Sequence, residues 1–159
     1  MATVAAVFWY VRSGGEAEAR ASVGSAAPPI VGTTLDGQAF DLAAYDGQPV
    51  IINFWGPSCV PCRDEFPLML AKLQEHADDD LAIIGVLTDD PEQPARDFVA
   101  EFDASWPTVT DPGAVLKRTY RVAGRPQTYF VGRAGIIRSI QIGELREVDF
   151  ERQYAKIAP

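Results

Sequence analysis

The stretch W-G-P-S-C-V-P-C-R-D-E-F-P, Trp55 to Pro67, contains both cysteines of the chain, Cys59 and Cys62. Thiols three positions apart could form half of a metal site, a structural cross-link, or a dithiol that opens and closes. Structural zinc takes four ligands, commonly a second Cys pair or Cys with His. This chain has no third cysteine and a single histidine, His76, read as an exposed residue at a helix end, so no metal is expected at the pair. A cross-link closing about four residues removes only ~2 kcal/mol of chain entropy, against ~4.7 kcal/mol for a loop of about a hundred. A peroxide-reducing cysteine would want Ser or Thr three positions earlier and Pro seven earlier, where Gly56 and Ile52 stand.

A redox dithiol fits the placement. Cys59 follows an apolar, β-branched run and stands where the next helix begins. There, unpaired backbone N–H groups and the positive end of the helix dipole face its sulfur. Lowering a thiol pKa from ~8.5 to ~7 raises its thiolate fraction at neutral pH from about 3% to about half. Cys59 is therefore the expected nucleophile. Cys62, one turn further in, is shielded from large substrates yet within reach of its neighbour, and so is placed to resolve a mixed disulfide. Pro61 at the helix start costs little, because its missing N–H had no helical partner.

The elements that must hold this pair are legible as alternating strand and helix patterns. Val50–Trp55 (V-I-I-N-F-W) and Leu81–Leu87 (L-A-I-I-G-V-L) read as buried strands flanking a helix with Phe66, Leu68 to Leu70 and Leu73 on its apolar side. Strand, helix, strand in that order implies a right-handed parallel crossover. Pro91–Phe102 reads as a second helix and Gly113–Tyr120 as a short one. Thr128–Val131 and Ile136–Ile142, separated by G-R-A-G, read as a hairpin. A last amphipathic helix, Val148–Ile157, turns Val148, Phe150, Tyr154 and Ile157 toward the core. The expected fold class is α/β, a mixed central sheet with helices on both faces.

With 159 residues, the chain has length for one ordinary core and not two. Its formal charge of -8, from 22 acidic and 14 basic residues, argues against nucleic acid as a partner, since phosphate contacts need clustered Lys and Arg. The first eleven residues, M-A-T-V-A-A-V-F-W-Y-V, are uncharged and end at Arg12. As a helix, Ala2 to Val11 would be about 15 Å long, half of the ~30 Å of hydrocarbon a span must cross. Trp9 and Tyr10 before Arg12 resemble the interfacial end of a span. Residues 1–26 are accordingly expected to be a truncated membrane anchor and flexible tether, and 27–159 the folded domain.

From Ala27 to Ile157 the chain resembles the TlpA/ResA-type thiol-disulfide oxidoreductases, membrane-anchored extracytoplasmic proteins of thioredoxin fold. A-P-P-I-V-G-T-T-L-D-G-Q-A-F-D-L is similar to that family's leading hairpin, G-Q-P-V-I-I-N-F-W to its central strand and C-V-P-C-R-D-E-F-P to its active-site helix. W-P-T-V-T-D and G-R-P-Q-T-Y-F match later signatures. The resemblance implies a thioredoxin fold with an N-terminal hairpin extension, a cis-proline at Pro126 facing the disulfide, and Arg125 offering backbone groups to a bound substrate strand. It places the substrate groove at Trp55, Ser58, Pro61, Arg125 and Pro126. Asn53 stands where cytosolic thioredoxins carry a buried proton-transfer Asp, and Asp89 falls where ResA-like members place an active-site acid. Pro57-Ser58 replace the usual Trp before the first cysteine, which makes the aromatic wall of the groove smaller.

The resemblance further implies a monomer with no cofactor beyond the redox-active Cys59–Cys62 disulfide. Its partners would be disulfide-containing proteins, apocytochrome c among them, and a membrane thiol reductase as electron donor. The location would be extracytoplasmic, anchored to the cytoplasmic membrane. A Cu(I) carrier using both thiols is the alternative, although related copper carriers add a third ligand, usually His, and none is positioned here. A non-catalytic docking module is the third reading, which two intact thiols disfavour.

Overall fold

A computed structural model describes residues 20–158. A small antiparallel hairpin, β1 (Val31–Thr33) with β2 (Ala39–Asp41), leads into β3 (Val50–Trp55), α1 (Val60–Glu75) and β4 (Ala82–Leu87). There follow α2 (Glu92–Phe102), β5 (Thr108–Thr110), α3 (Val115–Thr119), β6 (Gln127–Val131), β7 (Ile137–Ile142) and α4 (Glu147–Tyr154). The main sheet has the order β5-β4-β3-β6-β7. β3 pairs in parallel with β4 and antiparallel with β6, so it lies at the centre with both edges satisfied. The thioredoxin-type mixed sheet and the N-terminal hairpin expected from the sequence are both present.

Side chains alternate across a strand, and β3 divides the core accordingly. Val50, Ile52 and Phe54 face one apolar cluster with Ile30, Tyr120 and Tyr129. Ile51 and Trp55 face another with Phe66, Met69, Phe98 and Phe150, from α1, α2 and α4. Phe66 lies against Trp55, Phe98 and Trp106 at centroid distances of 4.9, 4.8 and 5.1 Å. Gly85 on β4 leaves room for this packing, since a Cβ there would lie 2.8 Å from Trp55 Nε1. On the far end of α1, buried Lys72 joins α4 through Glu151 and Glu147.

Three sequence expectations are corrected here. Trp55 has no exposed surface; strand parity points its ring under α1, so it is a core residue and not a wall of the groove. Val148 is 69% exposed, because Phe150 and Tyr154, four apart, define the buried stripe of α4 and Val148 lies about 200° from Phe150. His76 is half-buried, its ring centroid 4.0 Å from that of Tyr154.

The folded domain also begins earlier than residue 27. Ala21 is buried and donates its N–H to the Thr119 carbonyl; Gly24 N–H meets Ile137 O, and Ile137 N–H meets Ser25 O. The expected anchor at residues 1–11 lies outside the described residues, and among those described no helix is long and apolar enough to cross a membrane. Because those three backbone bonds contribute about 2 kcal/mol together, a chain starting at Ala27 should melt roughly 5 °C below one starting at Arg20. Calorimetry on the two truncations measures the difference, and equal Tm values would show that residues 20–26 contribute nothing to the domain.

Candidate active site

β3 delivers the chain to the redox pair. After Trp55 the backbone turns through Gly56–Ser58, and Cys59 is the N-cap of α1. Its Sγ lies 3.3 Å from the Cys62 backbone nitrogen, a first-turn donor that it shares with the Cys59 carbonyl. Cys59 and Cys62 are joined as a disulfide with Cα atoms 5.3 Å apart. Cys59 retains a little exposed surface and Cys62 none, the asymmetry expected of an outer attacking and an inner resolving thiol. Val60, between them, is exposed, and Pro61 is half-buried in the first turn.

The cis-proline expectation is met: the Arg125–Pro126 peptide is cis. The Phe54–Gln127 pairing of β3 and β6 puts Pro126 across from the end of β3, beside the chain that leads to Cys59. Ser58 is exposed, Arg125 largely covered and Pro126 buried. Ser58 and Arg125 therefore meet at the rim of the site, where Arg125 Nη2 donates to Ser58 Oγ at 3.2 Å.

Asp89 is not beside Cys62. It has a left-handed backbone (φ 61°), which carries its side chain outward, and its exposed carboxylate is 2.6 Å from Lys117 Nζ. The buried acid is Glu65, one turn past Cys62 on the inner face of α1 and 1% exposed. Asn53 Nδ2 donates to Glu65 Oε1 at 2.8 Å and to Thr128 Oγ1 at 3.0 Å, while Leu145 N–H donates to Glu65 Oε2 at 2.9 Å. Burial pushes the Glu65 carboxyl from 4.5 up to about 7, against the opposing pull of the Leu145 and Asn53 hydrogen bonds. The signal for it was in the sequence: Asn53 occupies the apolar row Ile51–Asn53–Trp55 that faces the helix, and a buried amide there needs a polar partner from α1.

The second acid that sequence reasoning missed is Asp90. It accepts from Ser58 N–H at 2.9 Å, from the Ser58 hydroxyl at 2.8 Å and from Arg125 Nη1 at 2.8 Å. Partial burial would raise its pKa, but the Ser58 bonds and the Arg125 guanidinium together hold the carboxyl below the usual range.

A model of the AhpC/TSA family matches residues 23–140. Thiol-disulfide oxidoreductase ResA of Bacillus thuringiensis subsp. konkukian is 30% identical over 143 residues, 89% of this chain and 82% of that protein. The thioredoxin-like protein YneN of Bacillus subtilis is 32% identical over 82% of this chain and 77% of its own length. Among solved structures, the thioredoxin domain of a thiol-disulfide oxidoreductase from Bacteroides vulgatus superposes with a TM-score of 0.75 at 29% identity, covering 87% of this chain and 99% of that one. A candidate thiol:disulfide interchange protein DsbE from Chlorobium tepidum gives 0.77 at 26% identity, over 86% and 95% of the two chains.

Glu65 makes a measurable prediction. Between pH 4.5 and 7 the folded protein binds the Glu65 proton more tightly than the unfolded chain does, so stability is greatest on the acid side. It is lost as pH rises through about 7. The full difference is about 3 kcal/mol. Denaturant titrations of the oxidised protein at pH 5 and pH 8 should show that loss in the parent and little of it in Glu65→Gln. An equal pH slope in both proteins would place the proton elsewhere.

With the family model, the relatives and the closed dithiol in agreement, the chain belongs to the AhpC/TSA family and is a thiol-disulfide oxidoreductase of the ResA/DsbE type, with its redox pair at Cys59 and Cys62.

Proposed function

We propose that the protein reduces disulfides in protein substrates outside the cytoplasmic membrane, with Cys59 as attacking and Cys62 as resolving thiol. The observation that carries this reading is the asymmetric pair itself: Cys59 caps α1 and retains a little exposed surface, while Cys62 is fully covered, one turn before the buried Glu65. In the reduced protein the Cys59 thiolate attacks a substrate disulfide. The substrate S–S bond breaks, a Cys59–substrate disulfide forms, and one substrate thiolate leaves. Glu65, one turn beneath Cys62, takes the Cys62 proton as that sulfur attacks Cys59 Sγ. The second substrate thiol departs, the substrate has gained two electrons, and the protein holds the disulfide seen here.

Returning the pair to the dithiol requires two electrons from a thiol donor, for which a membrane thiol reductase is the proposed source. Apocytochrome c before haem attachment is a proposed substrate, supported by the resemblance to ResA-type proteins. Support for the extracytoplasmic, membrane-attached location is the apolar run Ala2–Val11 and a cysteine content limited to the redox pair.

Cys62→Ser should accumulate mixed disulfides with insulin while Cys59→Ser forms none, as non-reducing gels with mass spectrometry would show. Trapping by the Cys59→Ser protein would reverse the assignment. In stopped-flow traces Glu65→Gln should slow the second step and spare the first, and equal slowing of both would remove Glu65 as the proton acceptor. For location, fractionation of cells carrying the full reading frame should put the protein with membranes, its cysteines reachable by an impermeant thiol reagent; a cytoplasmic pool would defeat that part of the proposal.

A further inference from the structure

Three loops meet at the end of β3, and one ion pair joins them. Arg125 Nη1 donates to the Thr88 carbonyl at 2.6 Å and to Asp90 Oδ2 at 2.8 Å, while its Nη2 reaches Ser58 Oγ. Asp90 in turn accepts from both the N–H and the hydroxyl of Ser58. The side chains are only 18% and 10% exposed. The Arg63–Glu101 bridge, by contrast, runs between side chains 44% and 57% exposed, a setting in which ion pairs contribute little. A covered pair persists only where its other donors and acceptors are satisfied, and the Thr88 and Ser58 contacts do that. The pair also lies directly on Gly56: a Cβ there would be 2.0 Å from Arg125 Nη1 and 2.3 Å from Asp90 Oδ2. The loop before Cys59 is thus shaped to admit this pair.

While the disulfide is closed, the Cys59 side chain is fixed to that of Cys62. Opening it frees the Cys59 sulfur, and the Ser58 peptide on the other side of Cys59 remains held by Asp90. The same carboxylate anchors the Arg125 side chain, whose backbone immediately precedes cis-Pro126. We propose that Asp90 is a positioning residue for exchange with extended polypeptide substrates: through Ser58 and Arg125 it keeps the Cys59 loop and the Arg125–Pro126 edge in fixed register once the disulfide is open. This rests on Cys59 being the attacking thiol. A substrate presenting a strand to that edge depends on the register, whereas a small disulfide with no backbone to pair does not.

The test compares reduced parent, Asp90→Ala and the size-conserving Asp90→Asn against two oxidants, insulin and the small aromatic disulfide dithiobis(nitrobenzoic acid). For insulin, Asp90→Ala should lower kcat/KM about tenfold, chiefly through KM, while the rate with the small disulfide changes less than about threefold. Arg125→Met should shift the same ratio, and combining it with Asp90→Ala should add little, because both remove one unit. Equal losses on both oxidants, or an unchanged ratio, would overturn the proposal. An independent readout needs no turnover: in the reduced parent the Ser58 amide should exchange with solvent at least about tenfold more slowly than in Asp90→Ala. Equal exchange overturns the clamp even if Cys59 is the nucleophile. Conversely, if Cys59→Ser retains insulin reduction, the nucleophile assignment fails while the amide result stands on its own.

Discussion

Full pairing of β3 on both edges is the constraint on which the rest of the molecule depends. Held by β4 on one side and β6 on the other, the strand cannot shift along its axis without breaking two ladders. Its carboxyl end is therefore a fixed point. The parallel partner β4 ends alongside it and releases Thr88–Asp90. The antiparallel partner β6 begins there and is preceded by Arg125–Pro126. The redox pair needs a nucleophile, a helix terminus and a docking edge in one place, and this strand order provides them from three segments distant in sequence.

The same centrality explains the chemistry beneath the pair. Both faces of β3 are covered, so a polar residue on it must be satisfied from within the protein. The Asn53 amide nitrogen meets that demand by donating to Glu65 and Thr128, while its Oδ1 is buried without a partner among the described residues, and the arrangement leaves a carboxyl in a site where ionisation is costly. That cost has a use: an acid whose pKa is pushed to about 7 can gain and lose a proton at neutral pH, which an exposed glutamate does not do. The disulfide above it changes between a proton-free form and a form with two titrating thiols, so a neighbour able to hold a proton at the same pH fits the reaction.

Much of this architecture is legible in the sequence because it is written in local pattern. The V-I-I-N-F-W and L-A-I-I-G-V-L runs, the apolar side of the active-site helix and the G-R-A-G turn mark elements whose existence needs no tertiary information. The order of motifs around Cys59, Cys62 and Pro126 marks the site. What escapes is what depends on strand parity and on single backbone angles. Trp55 looks like a groove residue by its nearness to Cys59, yet the parity that buries Ile51 also buries its ring. Residues 20–26 carry no apolar periodicity, since small residues leave little pattern, yet Ala21 is packed and the backbone after it is hydrogen-bonded to the start of β7.

Asp89 and Asp90 show why the acids were the hardest to place. Adjacent carboxylates follow the same strand, and nothing in their composition distinguishes them. The left-handed turn at Asp89 sends its carboxylate to Lys117 and leaves Asp90 directed back over Gly56 toward Ser58 and Arg125. One backbone angle thus assigns one aspartate to an exposed ion pair and the other to the rim of the redox site. The rim acid stays ionised among its hydrogen bonds, while the buried acid, Glu65, is the one poised to carry a proton. Two carboxylates near one disulfide are separated in role by their partners: burial raises both, but the Ser58 hydrogen bonds and the Arg125 guanidinium outweigh it at Asp90, and the neutral Leu145 and Asn53 donors do not at Glu65.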